Sequence, residues 1–235
     1  MSVADQLALI RDRIASAAHR AGRNPDDIAL MAVCKTFPAE TIKEAYAAGQ
    51  HLFGENRVQE FAEKYPAVAN LPEASFHMIG HLQSNKAAKA AEIFHAVDSI
   101  DSAKLAQKLN DAAQKLGKTL DVLIEINVGG EEAKSGLDAD SPEIDAILLQ
   151  APGWPNLRVS GLMTVPPFTD DPEGARPYFR KLRELRDRLA MRNFPAVSLD
   201  ILSMGMSHGF EVAIEEGSTC VRIGTAIFGE RPRTI

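Results

Sequence analysis

From Ile28 onward the chain alternates short apolar runs with longer stretches in which apolar residues recur every three or four positions. The short runs predict strands buried on both faces, and the longer stretches predict amphipathic helices. Ahead of them, Val3, Leu7, Ile10 and Ile14 keep helical spacing with charges between, so an additional N-terminal helix is expected. Ile28–Cys34 (IALMAVC) reads as the first strand, and Pro38 opens a helix that closes on Gly49. His51–Gly54 and Phe76–Ile79 read as the second and third strands, followed by helices over Arg57–Lys64 and Asn85–Ile93. Ala96–Ile100 is the fourth, leading to a helix capped by Asp101 or Ser102 and running through Leu116. Leu120–Val128 is the fifth, with a helix beginning near Pro142, and Leu157–Met163 the sixth, with the charged segment Glu173–Met191 as its helix. Leu199–Ser203 and Cys220–Ile223 complete the series, with a helix at Glu211–Glu216 between them and the segment TAIFG after them.

Strands that alternate with helices in this way call for a parallel sheet. An open doubly wound sheet shares the pattern. Eight such units in 235 residues favour closure, and the length is near the ~250 residues of one TIM barrel. The expected fold is therefore α/β, a single (β/α)8 TIM barrel with an additional N-terminal helix. No low-complexity linker divides the chain, and the Pro-rich piece around Pro166–Pro172 reads as a barrel loop, so residues 1–235 are expected to form one domain.

Composition narrows the function. The chain is 45% hydrophobic and 25% charged, which is ordinary for a globular protein. A formal net charge of −6 argues against nucleic acid as a partner, since binding phosphates needs a basic surface. No apolar run approaches the ~20 residues of a membrane span, and the N-terminus resembles neither a signal peptide nor a lipidation site. Cys34 and Cys220 form neither a disulfide framework nor a metal-ligand spacing, and a reducing, cytoplasmic setting is the simplest reading. Neither GxGxxG nor a P-loop occurs, which moves nucleotide cofactors out of the front rank.

In such a barrel the chemistry sits at the C-terminal ends of the strands. Those positions hold Lys35-Thr36, Gly54-Glu55-Asn56-Arg57, Gly80-His81, Asn127, Met163-Thr164, the loop SMGMSHG from Ser203, and Arg222, Gly224 and Thr225. A lysine directly after an apolar strand can be a plain rim residue. Partly desolvated in a barrel mouth, it can instead lose its proton and form an imine with an aldehyde. The loops after strands seven and eight, where many barrels hold a phosphate, are here SMGMSHG and GTAIFG, with glycines that admit backbone N–H groups to an anion and with Ser203, Ser207 and Thr225 as hydroxyl donors. Arg222, inside the last strand, either pairs with Glu55 or Glu125 or donates to a ring nitrogen of a ligand. His77, His81 and His95 lack a consistent ligand geometry and read as core or rim residues. Met204 and Met206 read as packing residues, and the basic stretch RPYFRKLRELRDRL as an amphipathic barrel helix.

At this point the motifs AVCKTFPAETIKEAYAAGQHLFGENRVQE, FHMIGHLQSNK, INVGGEEAKSGL, GLMTVPP and LSMGMSHGFEVAIEEGSTCVRIGTAIFGER, in order over nearly the whole chain, resemble the YggS/PROSC-like pyridoxal phosphate homeostasis proteins. The resemblance implies the fold-type III barrel of the alanine racemase N-terminal domain. It implies that Lys35 carries pyridoxal 5′-phosphate (PLP) as an internal aldimine and that Asn56 and Met163 lie by the cofactor. It further implies that Ser203, Gly224 and Thr225 hold the phosphate and that Arg222 faces the pyridine nitrogen. One departure is His208-Gly209, where the family usually carries acidic residues after MGMS.

Arginine keeps its proton, so Arg222 would leave the pyridine nitrogen unprotonated and the cofactor a weak electron sink. A racemase of this fold type needs a second acid–base group opposite the lysine. Alanine racemase takes a tyrosine from an added C-terminal domain, whereas Ile235 follows closely on the eighth strand, and Tyr46, Tyr65 and Tyr178 all fall in predicted helices. The expected function is a non-catalytic carrier that buffers and delivers PLP, with PLP-dependent apo-enzymes as candidate partners and the site complete in a monomer. The alternatives are a PLP-dependent amino-acid racemase and a Schiff-base aldolase for phosphorylated sugars, and Lys86 or Lys134 would be the attachment point if Lys35 is not.

Overall fold

The computed structural model describes residues 1–131 and 135–230. Helix α1 (Val3–Arg20) starts on a reciprocal cap: the Ser2 hydroxyl accepts from the Asp5 N–H and the Asp5 carboxylate accepts from the Ser2 N–H. There follow β1 (Ala29–Val33), α2 (Ala39–Ala47), β2 (Leu52–Glu55), α3 (Val58–Val68), β3 (Ser75–Met78), α4 (Ala87–Ile93), β4 (Ala96–Ile100), α5 (Ala103–Lys115) and β5 (Leu120–Asn127). The second half runs β6 (Leu137–Asp138), α6 (Pro142–Gln150), β7 (Leu157–Met163), α7 (Arg176–Ala190), β8 (Val197–Met206), α8 (Phe210–Glu215), β9 (Cys220–Ile223) and α9 (Thr225–Phe228).

All strand pairs are parallel, in the order β4-β3-β2-β1-β9-β8-β7-β5, and the β4–β5 pairing closes the ring. The expected eight-stranded barrel and N-terminal helix are both present. Element ends shift by up to four residues, as at α3, which runs to Val68 rather than Lys64, and two further departures from the sequence reading bear on the site. The two-residue β6 adds to the end of β5 outside the ring, too short to leave a pattern. Strand β8 runs past Ser203 to Met206, because its Gly205 takes φ +95° where a turn was expected. A Cβ there would lie 2.6 Å from that of Ala213, so the position needs glycine both for its dihedral and for the close approach of α8.

Alternation along the strands sorts their side chains. Ala32, Phe53, Phe76, Val97, Val122, Leu162, Leu202 and Val221 face the helices and join one core. In it Phe61 of α3 packs with ring centroids 4.9 Å from Phe76 and 4.8 Å from Phe94. Burying such a side chain contributes about 1.5–3 kcal/mol, and the repetition of these contacts around the ring fixes the helix layer. Met31, Val33, Ile79 and Cys220 form a separate cluster inside the barrel. Both cysteines are buried and unpaired, and burial pushes the Cys220 thiol up to about 12, so it offers no thiolate. Helix α1 lies across α8, α9 and α2, over the seam where β1 meets β9. Among the described residues no helix is long and apolar enough to cross a membrane.

Candidate functional site

Inside the barrel the same alternation separates two ends. Met31, His77, Asp98, Leu123, Ile201 and Cys220 line a 420 Å³ cavity toward the N-terminal ends of the strands. Chemistry in this fold gathers at the other end. Continuing by twos within the strands leads to Glu125, Asn127, Ser203 and Arg222, and Met163 pairs in register with Ser203. Lys35, Asn56 and Gly224 follow just past the ends of β1, β2 and β9, so all seven residues singled out from the sequence stand at the C-terminal ends of strands, with Thr225 the first residue of α9.

Arg222 is 4% exposed. Its Nη1 donates to Ser203 Oγ at 2.8 Å and its Nη2 to the Thr164 carbonyl at 2.7 Å, which uses two of the five N–H donors of a guanidinium. Burial pulls its pKa down, opposed by Cys220, Asp98 and Glu125. The Thr164 hydroxyl in turn donates to the Ile126 carbonyl at 2.6 Å, so the plane of the guanidinium is held from β5, β7 and β8 together. Met163 is fully buried beside it and pairs in register with Ser203.

Glu125 is 4% exposed, and its Oε1 accepts from the Ser135 hydroxyl at 2.9 Å while its buried Oε2 has no hydrogen-bond partner among the described residues. Burial raises its pKa, against the Ser135 hydrogen bond and the charge of Arg222. The sequence reading offered Glu55 or Glu125 as the partner of Arg222. Glu55 is excluded, because Gly54 points inward and its neighbour Glu55 therefore points out to the helices, where Lys64 Nζ donates to it at 2.6 Å. Glu125 acts on Arg222 through space, without an ion pair.

Lys35 is half-buried just beyond β1, and Thr36 after it holds a left-handed φ of +69°. Asn56 is half-buried beyond β2, and Gly80 lies so close that a Cβ would fall 2.4 Å from the Asn56 carbonyl. At the last strand, a Cβ on Gly224 would come within 3.2 Å of the Val33 carbonyl. Gly224 is the N-cap of α9 and, among the described residues, no side chain caps that turn, so its first N–H groups can meet another acceptor. The adjoining loop is tied down by His208, whose Nε2 lies 2.9 Å from the Asp170 carbonyl and whose ring stacks on Phe168.

The remaining sequence assignments divide. Met204 is fully buried, as read, but Met206 is 39% exposed, because β8 carries it past the edge of the core. The His77 ring nitrogen Nδ1 lies 3.0 Å from Asp98 and that of His81 3.2 Å from Asp101, and His95 Nδ1 accepts the Phe76 N–H at 3.0 Å. Tyr46, Tyr65 and Tyr178 lie in α2, α3 and α7. Lys134, within INVGGEEAKSGL, lies outside the described residues. The sequence reading missed Thr164 as a partner of Arg222, which acts through its carbonyl, and Lys64 and Glu60, whose GENRVQEFAEK spacing is plain helix chemistry until the loop they brace is known.

An amine, a guanidinium with donors to spare, a buried carboxyl oxygen without a partner and an uncapped turn make a mouth suited to a small anionic ligand that carries a carbonyl and a ring. A family model described as "Alanine racemase, N-terminal domain" matches residues 6–232. The chain is 47% identical over 232 residues to the pyridoxal phosphate homeostasis protein of Aquifex aeolicus, covering 98% of this chain and 99% of that protein. It is 42% identical over 231 residues to the protein of the same name in Escherichia coli strain K12, covering 97% of each. Among solved structures, PipY of Synechococcus elongatus PCC7942 with PLP bound is similar with a TM-score of 0.83 and 35% identity, over 97% of this chain and 100% of that one. An alanine racemase of Clostridium difficile 630 shares the fold with a TM-score of 0.73 at 17% identity, over 97% of this chain but 57% of its own.

Proposed function

The chain belongs to the family of pyridoxal phosphate homeostasis proteins, built on the alanine racemase N-terminal domain, and from that premise we propose that it holds PLP covalently on Lys35 and serves as a carrier rather than a fast catalyst. The observation that supports this reading is that Lys35, the buried Arg222 guanidinium and the Gly224 turn all lie at the C-terminal ends of the barrel strands. The residues fit the cofactor. The N–H groups around Gly224 and Thr225 suit its phosphate, and the close approach of Gly224 to Val33 makes the cradle tight for a side chain. Glu125 Oε2, without a hydrogen-bond partner among the described residues, can meet a polar group of the ligand.

In this reading Lys35 is the attachment point, Asn56 and Met163 flank the ring, and Ser203, Gly224 and Thr225 hold the phosphate end, all within one barrel domain. Ser203 accepts from Arg222, so it fixes the guanidinium as well. PLP, when bound, supplies an electron sink that is strongest with a protonated ring nitrogen. Arg222 keeps its own proton and can only donate, so it orients the ring while leaving that nitrogen unprotonated. The chain thereby binds and orients without completing an acid–base pair across the ring, which suits buffering and delivery to PLP-dependent apo-enzymes.

The visible spectrum of the purified protein loaded with PLP tests the reading. Wild type is expected to show a yellow band that Lys35→Ala loses, and borohydride reduction followed by peptide mass analysis should mark Lys35. A band unchanged in Lys35→Ala would sink the assignment. Rapid α-deuteration of L-alanine in deuterated water would sink the carrier half and leave a racemase.

A further inference from the structure

Lys64 stands behind the loop that bears Lys35, and nothing in the proposed function uses it. Its side chain is 10% exposed. Its Nζ lies within hydrogen-bond distance of four oxygens: the Cys34 carbonyl at 3.2 Å, the Phe37 carbonyl at 3.1 Å, Glu60 Oε1 at 3.0 Å and Glu55 Oε1 at 2.6 Å. The two carbonyls bracket Lys35 and Thr36, and the two carboxylates come from β2 and α3. Glu60 Oε1 also accepts the Thr36 N–H at 2.6 Å.

Thr36 holds φ +69°, a region that a β-branched residue avoids and keeps only where its surroundings over-determine it. The surroundings here are these contacts. Strand β1 ends at Val33, and after the Cys34 N–H donates to the Gly54 carbonyl at 3.0 Å the sheet no longer directs the chain. Lys64 takes over from the sheet at the next residue. Burial works to lower its pKa, but Glu55 and Glu60 outweigh that and raise it, so the ammonium is locked in its charged form.

We propose that Lys64 is a positioning residue, clamping both ends of the Cys34–Phe37 turn to β2 and α3 and, with Glu60, holding Thr36 left-handed so that the Lys35 side chain enters the barrel mouth. This rests on Lys35 as the attachment point. A buried lysine that merely neutralised Glu55 would set stability alone. A clamp also sets how well Lys35 meets its ligand.

The test titrates apo-protein with PLP by absorbance, across pH, for wild type, Lys64→Met, Glu60→Ala and Lys35→Ala, alongside thermal midpoints and amide exchange over residues 34–38. Folded Lys64→Met is expected to bind about tenfold more weakly, as misplacement of a reacting group requires, with its band titrating at a different pH. Glu60→Ala leaves the Lys64–Glu55 pair in place and is expected to weaken binding about threefold, with faster exchange in the turn and a near wild-type midpoint. Wild-type affinity and pH profile in both variants would overturn the clamp, whatever the midpoints do. Should Lys64→Met fail to fold, Glu60→Ala decides by the same criterion. Lys35→Ala separates the two ideas: if it loses the band while the other variants bind as wild type, the attachment point stands and the clamp falls. If it keeps the band, both fall.

Discussion

Glu55 and Glu125 are two buried glutamates on neighbouring layers of the same barrel wall, each with one carboxyl oxygen committed and the other buried without a partner. On the outer face, Glu55 Oε1 takes the Lys64 ammonium at 2.6 Å and the Cys34 thiol at 3.2 Å. On the inner face, Glu125 has a serine hydroxyl and, across the mouth, the charge of Arg222. Outside the barrel the helices bring a cation directly against the carboxylate. Inside, Glu125 meets its nearest cation only across the mouth, and a carboxyl so placed in a low-dielectric site is costly unless a ligand meets it.

The largest way to break this comparison is Glu55→Ala, which strands the buried Lys64 ammonium without its nearest carboxylate. A loss of about 3–5 kcal/mol is expected in urea unfolding with the m-value unchanged. Glu216 sharpens the comparison from the helix layer. It is 5% exposed and takes Arg176 at 3.2 Å, Arg180 at 3.0 Å and Arg183 at 2.8 Å. Burial works to raise its pKa, but the arginines outweigh it and hold the carboxyl below 4.5. Its contribution is therefore present above 4.5 and lost as the pH falls through the folded-state value. Glu216→Gln should cost about 2 kcal/mol at neutral pH, and the gap to wild type should close on acidification. The smallest expected effect is Glu125→Gln, within about 1 kcal/mol at neutral pH. Here the sign reverses: a pKa raised above 4.5 gives stability that is present below 4.5 and lost as the pH rises. The glutamine variant should gain on wild type with rising pH, and a parallel pH profile would show that Glu125 is not the strained carboxyl described.

Much of the fold is legible in the sequence. Leu157–Met163 and Cys220–Ile223 were bounded correctly because strands buried on both faces leave unbroken apolar runs. Strand ends supplied the candidate positions and the family resemblance chose among them, and the barrel topology explains why Lys35, Asn56, Met163, Ser203, Arg222 and Gly224 all stand at one end of the ring. The partner of Arg222 was not legible, since it includes the Thr164 main chain, and a carbonyl leaves no mark in the residue type. Lys64 and Glu60 were hidden for a different reason. Four residues apart on a helix, they read as an ordinary surface pair until the Cys34–Phe37 turn is seen to lie against them. Gly205 misled in the opposite direction, since a glycine with a positive φ is a turn signal that β8 absorbs without turning.

Helix α1, laid over the β1–β9 seam, has a consequence for the order of events in time. Arg13 meets Glu211 across 198 positions of sequence, and Arg23 donates to the Ser218 carbonyl across 195. In synthesis α1 therefore precedes α8 and α9 by nearly the whole barrel, and Leu7, Ile10 and Ile14 gain that cover only after the strands between have been made. The barrel is latched across its seam by a segment that waits for its partner.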